Sequence, residues 1–66
     1  MRTMHGLEIK VRRIRAGLHQ YELAARLGIN QTRLSEIECG RVQPSPELLE
    51  RILDAIRRAR DAKARR

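Results

Sequence analysis

The stretch QYELAARLGINQTRLSEIEC, residues 20 to 39, reads as two short helices with almost no chain between them. In the first, from about Gln20 to Leu27, helical spacing turns Leu23, Ala24 and Leu27 inward. Gly28 can take the left-handed conformation that stops a helix, since it has no Cβ to clash. Asn30 is a good N-cap for the second, about Gln31 to Cys39, whose inward residues are Leu34 and Ile37. Only Gly28, Ile29 and Asn30 lie between them, so the helices cross steeply, and Ala24 is small enough to allow their close approach. With Ile29, Leu34 and Ile37 as anchors, Gln31, Thr32, Arg33, Ser35 and Glu36 are left facing away.

A bare helical hairpin satisfies this spacing, and so does a DNA-binding helix-turn-helix, whose second helix enters the major groove by its N-terminal residues. The outward side chains favour the latter. Glutamine pairs with adenine edges, arginine with guanine and threonine with the thymine methyl, while glutamate accepts from cytosine.

Working outward, the remaining chain also reads as helical, with no period-two alternation long enough for a strand. A first helix is expected from about Met4 to Ala16, with Leu7, Val11 and Ile14 on one stripe, Ile9 and Arg13 on an adjacent one, and Gly17 at its C-terminal end. Gly40 ends the third helix. Ser45 as N-cap and Pro46 at the first helical position start a fourth, reaching about Arg60 and burying Leu49, Ile52, Leu53 and Ile56. The expected fold is all-α, a compact bundle of four or five helices. Residues 1–60 form the helix-turn-helix domain and 61–66 a basic C-terminal tail.

At 66 residues, with Tyr21 the only aromatic, the core is thin and aliphatic, poor material for a deep catalytic cleft. No Ser/His/Asp or Cys/His arrangement and no glycine-rich phosphate loop is suggested, so no enzymatic activity and no cofactor are expected. His5, His19 and Cys39 lack zinc-site spacing, so no metal is expected. The lone cysteine and the lack of a long apolar run fit a cytoplasmic protein with no membrane partner. Cys39 itself is expected to be a half-buried thiol with no redox task. The formal charge of +7 points to a polyanion. Seven of the 15 basic residues lie in residues 51 to 66, where Asp54–Arg58 and Arg57–Asp61 are spaced to pair along a helix.

The run IKVRRIRAGLHQYELAARLGINQTRLSEIECGR with PSPELLERILDAI, residues 9 to 56, resembles the Cro/CI-like phage-repressor type of helix-turn-helix, also called the xenobiotic-response-element type. The pattern of Gly17-Leu18, Gln20, Leu23-Ala24, Leu27-Gly28-Ile29, Ile37-Glu38 and Gly40 carries the likeness. It implies a lambda-repressor-like bundle acting as a transcriptional regulator, usually a homodimer on a two-fold symmetric operator. Gln31, Thr32, Arg33 and Glu36 then face bases. Gln20, Tyr21, Arg13, Ser35 and Arg41 are the candidates for phosphate contact, with Gln20 also supporting the first recognition-helix residue. Ala24 and Gly28 shape the turn, and Arg13 with Glu38 forms a partly buried ion pair joining helices one and three. Two departures stand out: His19 occupies the usual Ser or Thr cap of helix two, and Cys39 replaces the usual Asn before Gly40.

The reading is therefore a sequence-specific DNA-binding regulator, of repressor type, with double-stranded DNA as partner and no small-molecule ligand. The alternative is an antitoxin-type module that binds a protein partner as well as DNA. Leu53, Ile56 and Ala59, more apolar surface than a short last helix needs, suggest a homodimer formed through helix four.

Overall fold

The computed structural model describes residues 5–64, and within them four helices follow in order: α1 (Gly6–Arg15), α2 (Gln20–Leu27), α3 (Gln31–Glu38) and α4 (Pro46–Ala64). The expected start at Met4 lies outside the described residues. α4 runs four residues past the expected end at Arg60. α1 and α2 each pack on both α3 and α4, giving a bundle about 35 × 27 × 18 Å.

The helix ends follow from local chemistry. Gly28 has φ +73°, a conformation costly to any residue with a Cβ, and it closes α2. Asn30 then opens α3, its side chain accepting a 2.7 Å bond from the Arg33 N–H. Ser45 does the same for α4, its Oγ accepting from the Leu48 N–H at 3.1 Å. His19 precedes α2 without such a side-chain bond. Instead the Glu22 carboxylate reaches back and accepts from the His19 N–H at 2.8 Å. At the far end of α2, Arg51 of α4 donates to the Leu27 carbonyl at 2.7 Å, satisfying a terminal acceptor that the helix cannot.

Every helix gives the core at least one side chain that water does not reach: Ile9, Leu23, Leu34 and Ile37, and Ile52. Ala16, Leu18, Ala24, Leu27, Ile56 and Ala59 complete it, with Ile29, Leu48 and Leu49 packed at its edge. Two expectations are corrected here. Leu7, Val11 and Ile14 point outward, 65 %, 37 % and 56 % exposed, and the buried side of α1 carries Ile9 and Arg13. Ile56 and Ala59 are buried within their own domain, so of the three residues expected to join two copies through helix four only half-buried Leu53 retains accessible surface.

The reason for the first correction is the Arg13–Glu38 pair. Arg13 donates from Nε to Glu38 Oε2 at 2.7 Å and from Nη2 to Oε1 at 3.1 Å, while Nη1 donates to the Leu18 carbonyl at 2.9 Å. Both residues are under 9 % exposed. A buried guanidinium needs this partnership, and meeting it turns α1 so that its apolar stripe faces solvent. Gly6 makes the approach possible: a Cβ there would collide with the carbonyl oxygens of Ile37 and Glu38 at the end of α3.

Along α4 the charged pairs are partly as spaced. Asp54 bonds Arg58 at 2.9 Å, but its other oxygen takes Arg57, and Asp61 lies nearest Arg60 at 3.7 Å, so the Arg57–Asp61 pair is replaced. These are exposed pairs of small energetic weight.

Removing one partner of the buried pair should be far worse than removing both. Arg13→Met leaves a lone buried carboxylate and should cost about 3–5 kcal/mol, whereas Arg13→Met with Glu38→Leu should cost markedly less. Urea unfolding of the two variants checks this, and equal losses would contradict it.

Candidate nucleic-acid interface

The exposed side of α3 begins where α2 and α3 present their N-termini side by side. Gln31, the first residue of α3, donates from Nε2 to Oε1 of Gln20, the first residue of α2, at 3.2 Å. The N-terminal ends of two helices, each the positive end of its dipole, are therefore close enough for their first side chains to bond, an arrangement suited to an anionic backbone. With its side chains an α-helix is about 10–12 Å across, close to the width of a B-form major groove.

Each expected contact residue has a definite place. Gln31, Thr32 and Arg33 are exposed along the first turn of α3. Glu36 and Ser35 are half-buried, so they lie at the flank of this face more than on its crest. Tyr21 is 59 % exposed on the first turn of α2 and stacks on the His19 ring at 5.5 Å. Arg41 is exposed just beyond Gly40. Gln20, Tyr21 and Gln31 are thus gathered at the α2–α3 N-terminal edge, whereas Arg41 stands beyond the opposite end of α3.

Arg13 does not belong with them. All three of its guanidinium nitrogens donate inside the domain and the residue is 8 % exposed, so the phosphate contact considered for it is withdrawn. Ala24, 3 % exposed, and Gly28 sit at the tight turn. Cys39 is exposed, where a half-buried thiol was expected, because α3 gives way to the turn at Gly40.

One link was not legible from spacing. Gln20 Nε2 donates to Glu38 Oε1 at 3.2 Å, which joins the buried ion pair to the exposed glutamine pair. The residues are 18 apart in sequence, and no periodicity within either helix signals the contact. The resemblance supplied Gln20 and Glu38 separately, in two unrelated roles.

No group of side chains able to hold a metal ion occurs among the described residues, and no described helix is long and apolar enough to cross a membrane. A family model described as a helix-turn-helix domain matches residues 6–65. No curated protein and no solved structure matches the chain.

The face is held in shape by its cap as well as by its core contacts. Asn30→Ala should lower stability by about 1 kcal/mol, the usual worth of an N-cap. The variant should also show faster amide exchange confined to the first turn of α3. Uniform protection in α3 would mean that the cap does not order this face.

Proposed function

Because the chain belongs to the helix-turn-helix domain family, we propose that it is a sequence-specific DNA-binding regulator of transcription, of the Cro/CI-like type, that acts as a repressor. α3 lies in the major groove, with Gln31, Thr32 and Arg33 reading base edges from its first turn and Glu36 guarding its flank. Gln20, Tyr21, Ser35 and Arg41 hold phosphates and set the docking register, a role that carries no sequence information by itself. The net charge of +7 supplies the long-range attraction to DNA.

The observation that carries this reading is the Gln20–Gln31 pair at the exposed N-terminus of α3. Two glutamines bonded to each other on a surface are ordered before any ligand arrives, so less entropy is lost when they meet a base and a phosphate. Gln31→Ala and Thr32→Ala should leave thermal stability nearly unchanged. Each should cost on the order of 1–3 kcal/mol on the preferred duplex and relax base choice at one position. Binding to preferred and scrambled duplexes decides the matter: equal loss on both would reduce α3 to non-specific attachment.

The protein acts as a homodimer on a two-fold symmetric operator, with half-sites roughly 34 Å apart. The surface that joins the copies is the groove between α1 and α4, lined by Leu7, Val11 and Leu53. Leu7 and Val11, exposed side by side along this groove on so small a domain, favour a protein partner. The charge order of α4 favours a second copy as that partner. Along the groove Glu47 and Glu50 precede Arg57 and Arg60, so an antiparallel, two-fold related helix sets acid against base, in addition to the Asp54–Arg57 pair within each helix. Arg51, the exception in the acidic half, is drawn away to the Leu27 carbonyl.

Sedimentation should therefore find a dimer that Leu7→Glu with Val11→Glu converts to a folded monomer with weakened operator binding. A wild-type protein that stays monomeric, and binds a full operator as a single copy, would remove the dimer from this reading.

A further inference from the structure

We infer that Glu38 acts as a positioning residue for base choice: its carboxylate sets the direction of the Gln20 amide, which sets the direction of the Gln31 amide, and so commits Gln31 to adenine. The inference rests on Gln31 being a base contact. It assigns to the buried ion pair a task beyond holding α1 to α3.

The chain of polarity starts in the core. A carboxylate only accepts hydrogen bonds, and both Glu38 oxygens already receive Arg13. The group that Gln20 turns toward Glu38 Oε1 must therefore be its NH₂, as observed at 3.2 Å. Its carbonyl oxygen is then the end left for Gln31, and it accepts from Gln31 Nε2 at 3.2 Å. Each glutamine has one amide that can be used in either of two directions, and here neither direction is free.

The consequence appears at the groove. Gln31 Nε2 has one hydrogen bound to Gln20 and one remaining, beside a free Oε1. It thus presents one donor and one acceptor together. Adenine shows the complement, the N7 acceptor and the N6 donor, whereas guanine shows two acceptors, N7 and O6. Were the amide reversed, Oε1 would accept from Gln20 and keep one lone pair, while both NH₂ hydrogens would be free on the groove side. That presentation opposes adenine's N6 donor and reaches guanine O6. Gln20 keeps a second hydrogen of its own for phosphate, so its docking role is compatible with the relay.

Glu38→Gln tests the direction of control. An NH₂ meets an Arg13 donor at either position, Nε at 2.7 Å or Nη2 at 3.1 Å. The shorter bond therefore keeps the new amide's oxygen, and the NH₂ takes the longer, weaker contact, from which Nη2 must draw back. The NH₂ then faces Gln20, which must turn its oxygen inward and its NH₂ to Gln31. Gln31 reverses in turn. Burial of both partners makes this variant the less stable one, so circular dichroism establishes whether it is folded. Gln20→Met, at a half-buried position, provides a second variant that breaks the relay while both Glu38 oxygens keep their bonds from Arg13.

The measurement is the relative affinity for duplexes carrying each base pair at the position where Gln31→Ala loses discrimination. The wild type should favour adenine over guanine there by about tenfold or more, within the range of one bidentate contact. Glu38→Gln should invert that ratio. Gln20→Met should bring it to within about twofold, with a loss of affinity common to all duplexes from the missing phosphate contact.

A purely structural Glu38, or a Gln20 that only holds phosphate, moves total affinity and leaves the adenine-to-guanine ratio where it was. A folded Glu38→Gln that still prefers adenine, or an unchanged ratio in Gln20→Met, overturns the inference while Gln31 remains a base contact. If Glu38→Gln does not fold, the Gln20→Met ratio decides alone. If Gln31→Ala alters no position at all, the reading of Gln31 fails and the relay fails with it.

Discussion

The structure depends on one requirement: a guanidinium buried in a small aliphatic core has to be neutralised. Arg13 meets it with both oxygens of Glu38 and the carbonyl of Leu18, which ties α1, the end of α3 and the α1–α2 connection into one unit. In a domain this small a lone buried charge would consume much of the net stability, so this contact tolerates little variation in geometry. Its demands spread outward. α1 must turn its arginine inward and its leucine and valine out, and Gly6 must lack a side chain so that the two helices can close on each other.

The apolar contacts act within that frame. Ile9, Leu23, Leu34, Ile37 and Ile52 are sealed from water and meet between the helices, while the caps at Asn30 and Ser45 fix where α3 and α4 begin. Burial of such side chains is non-directional and would tolerate several rotations of a short helix. A bidentate ion pair tolerates one. The apolar core thus holds the helices together, and the polar contact selects their rotation.

How much of this was legible in the chain follows the same division. Short-range signals were readable because their chemistry is local: Gly28 for a left-handed stop, Asn30 for a cap, Ser45-Pro46 for a helix start, and Leu34 with Ile37 for the inward side of α3. The face of α1 was not, because an apolar stripe at Leu7, Val11 and Ile14 is the ordinary mark of a buried side, and a buried arginine reverses it. Gly6 carries no local mark either, since the backbone it accommodates lies more than thirty residues away. On the exposed face of α3, Gln31 and Thr32 could be placed by helical spacing, whereas Gln20 came only from the family resemblance. The bond from Gln20 to Glu38 could not, since it exists only once three helices have assembled.

The placement of α3 has a consequence for how such a protein can change over time. Leu34, Ile37 and Glu38 bind the helix to the domain, while the Thr32 side chain makes no hydrogen bond among the described residues and that of Arg33 makes none either. Substitution at positions 32 and 33 therefore removes no hydrogen bond that holds the scaffold together. Position 31 is different. Its side chain shares a bond with position 20, which shares one with position 38, so a lineage that changes one of the three inherits a mismatch until a second change follows. The same fold thus sets two sites whose side chains bond to nothing else in the domain beside three that are constrained through one another.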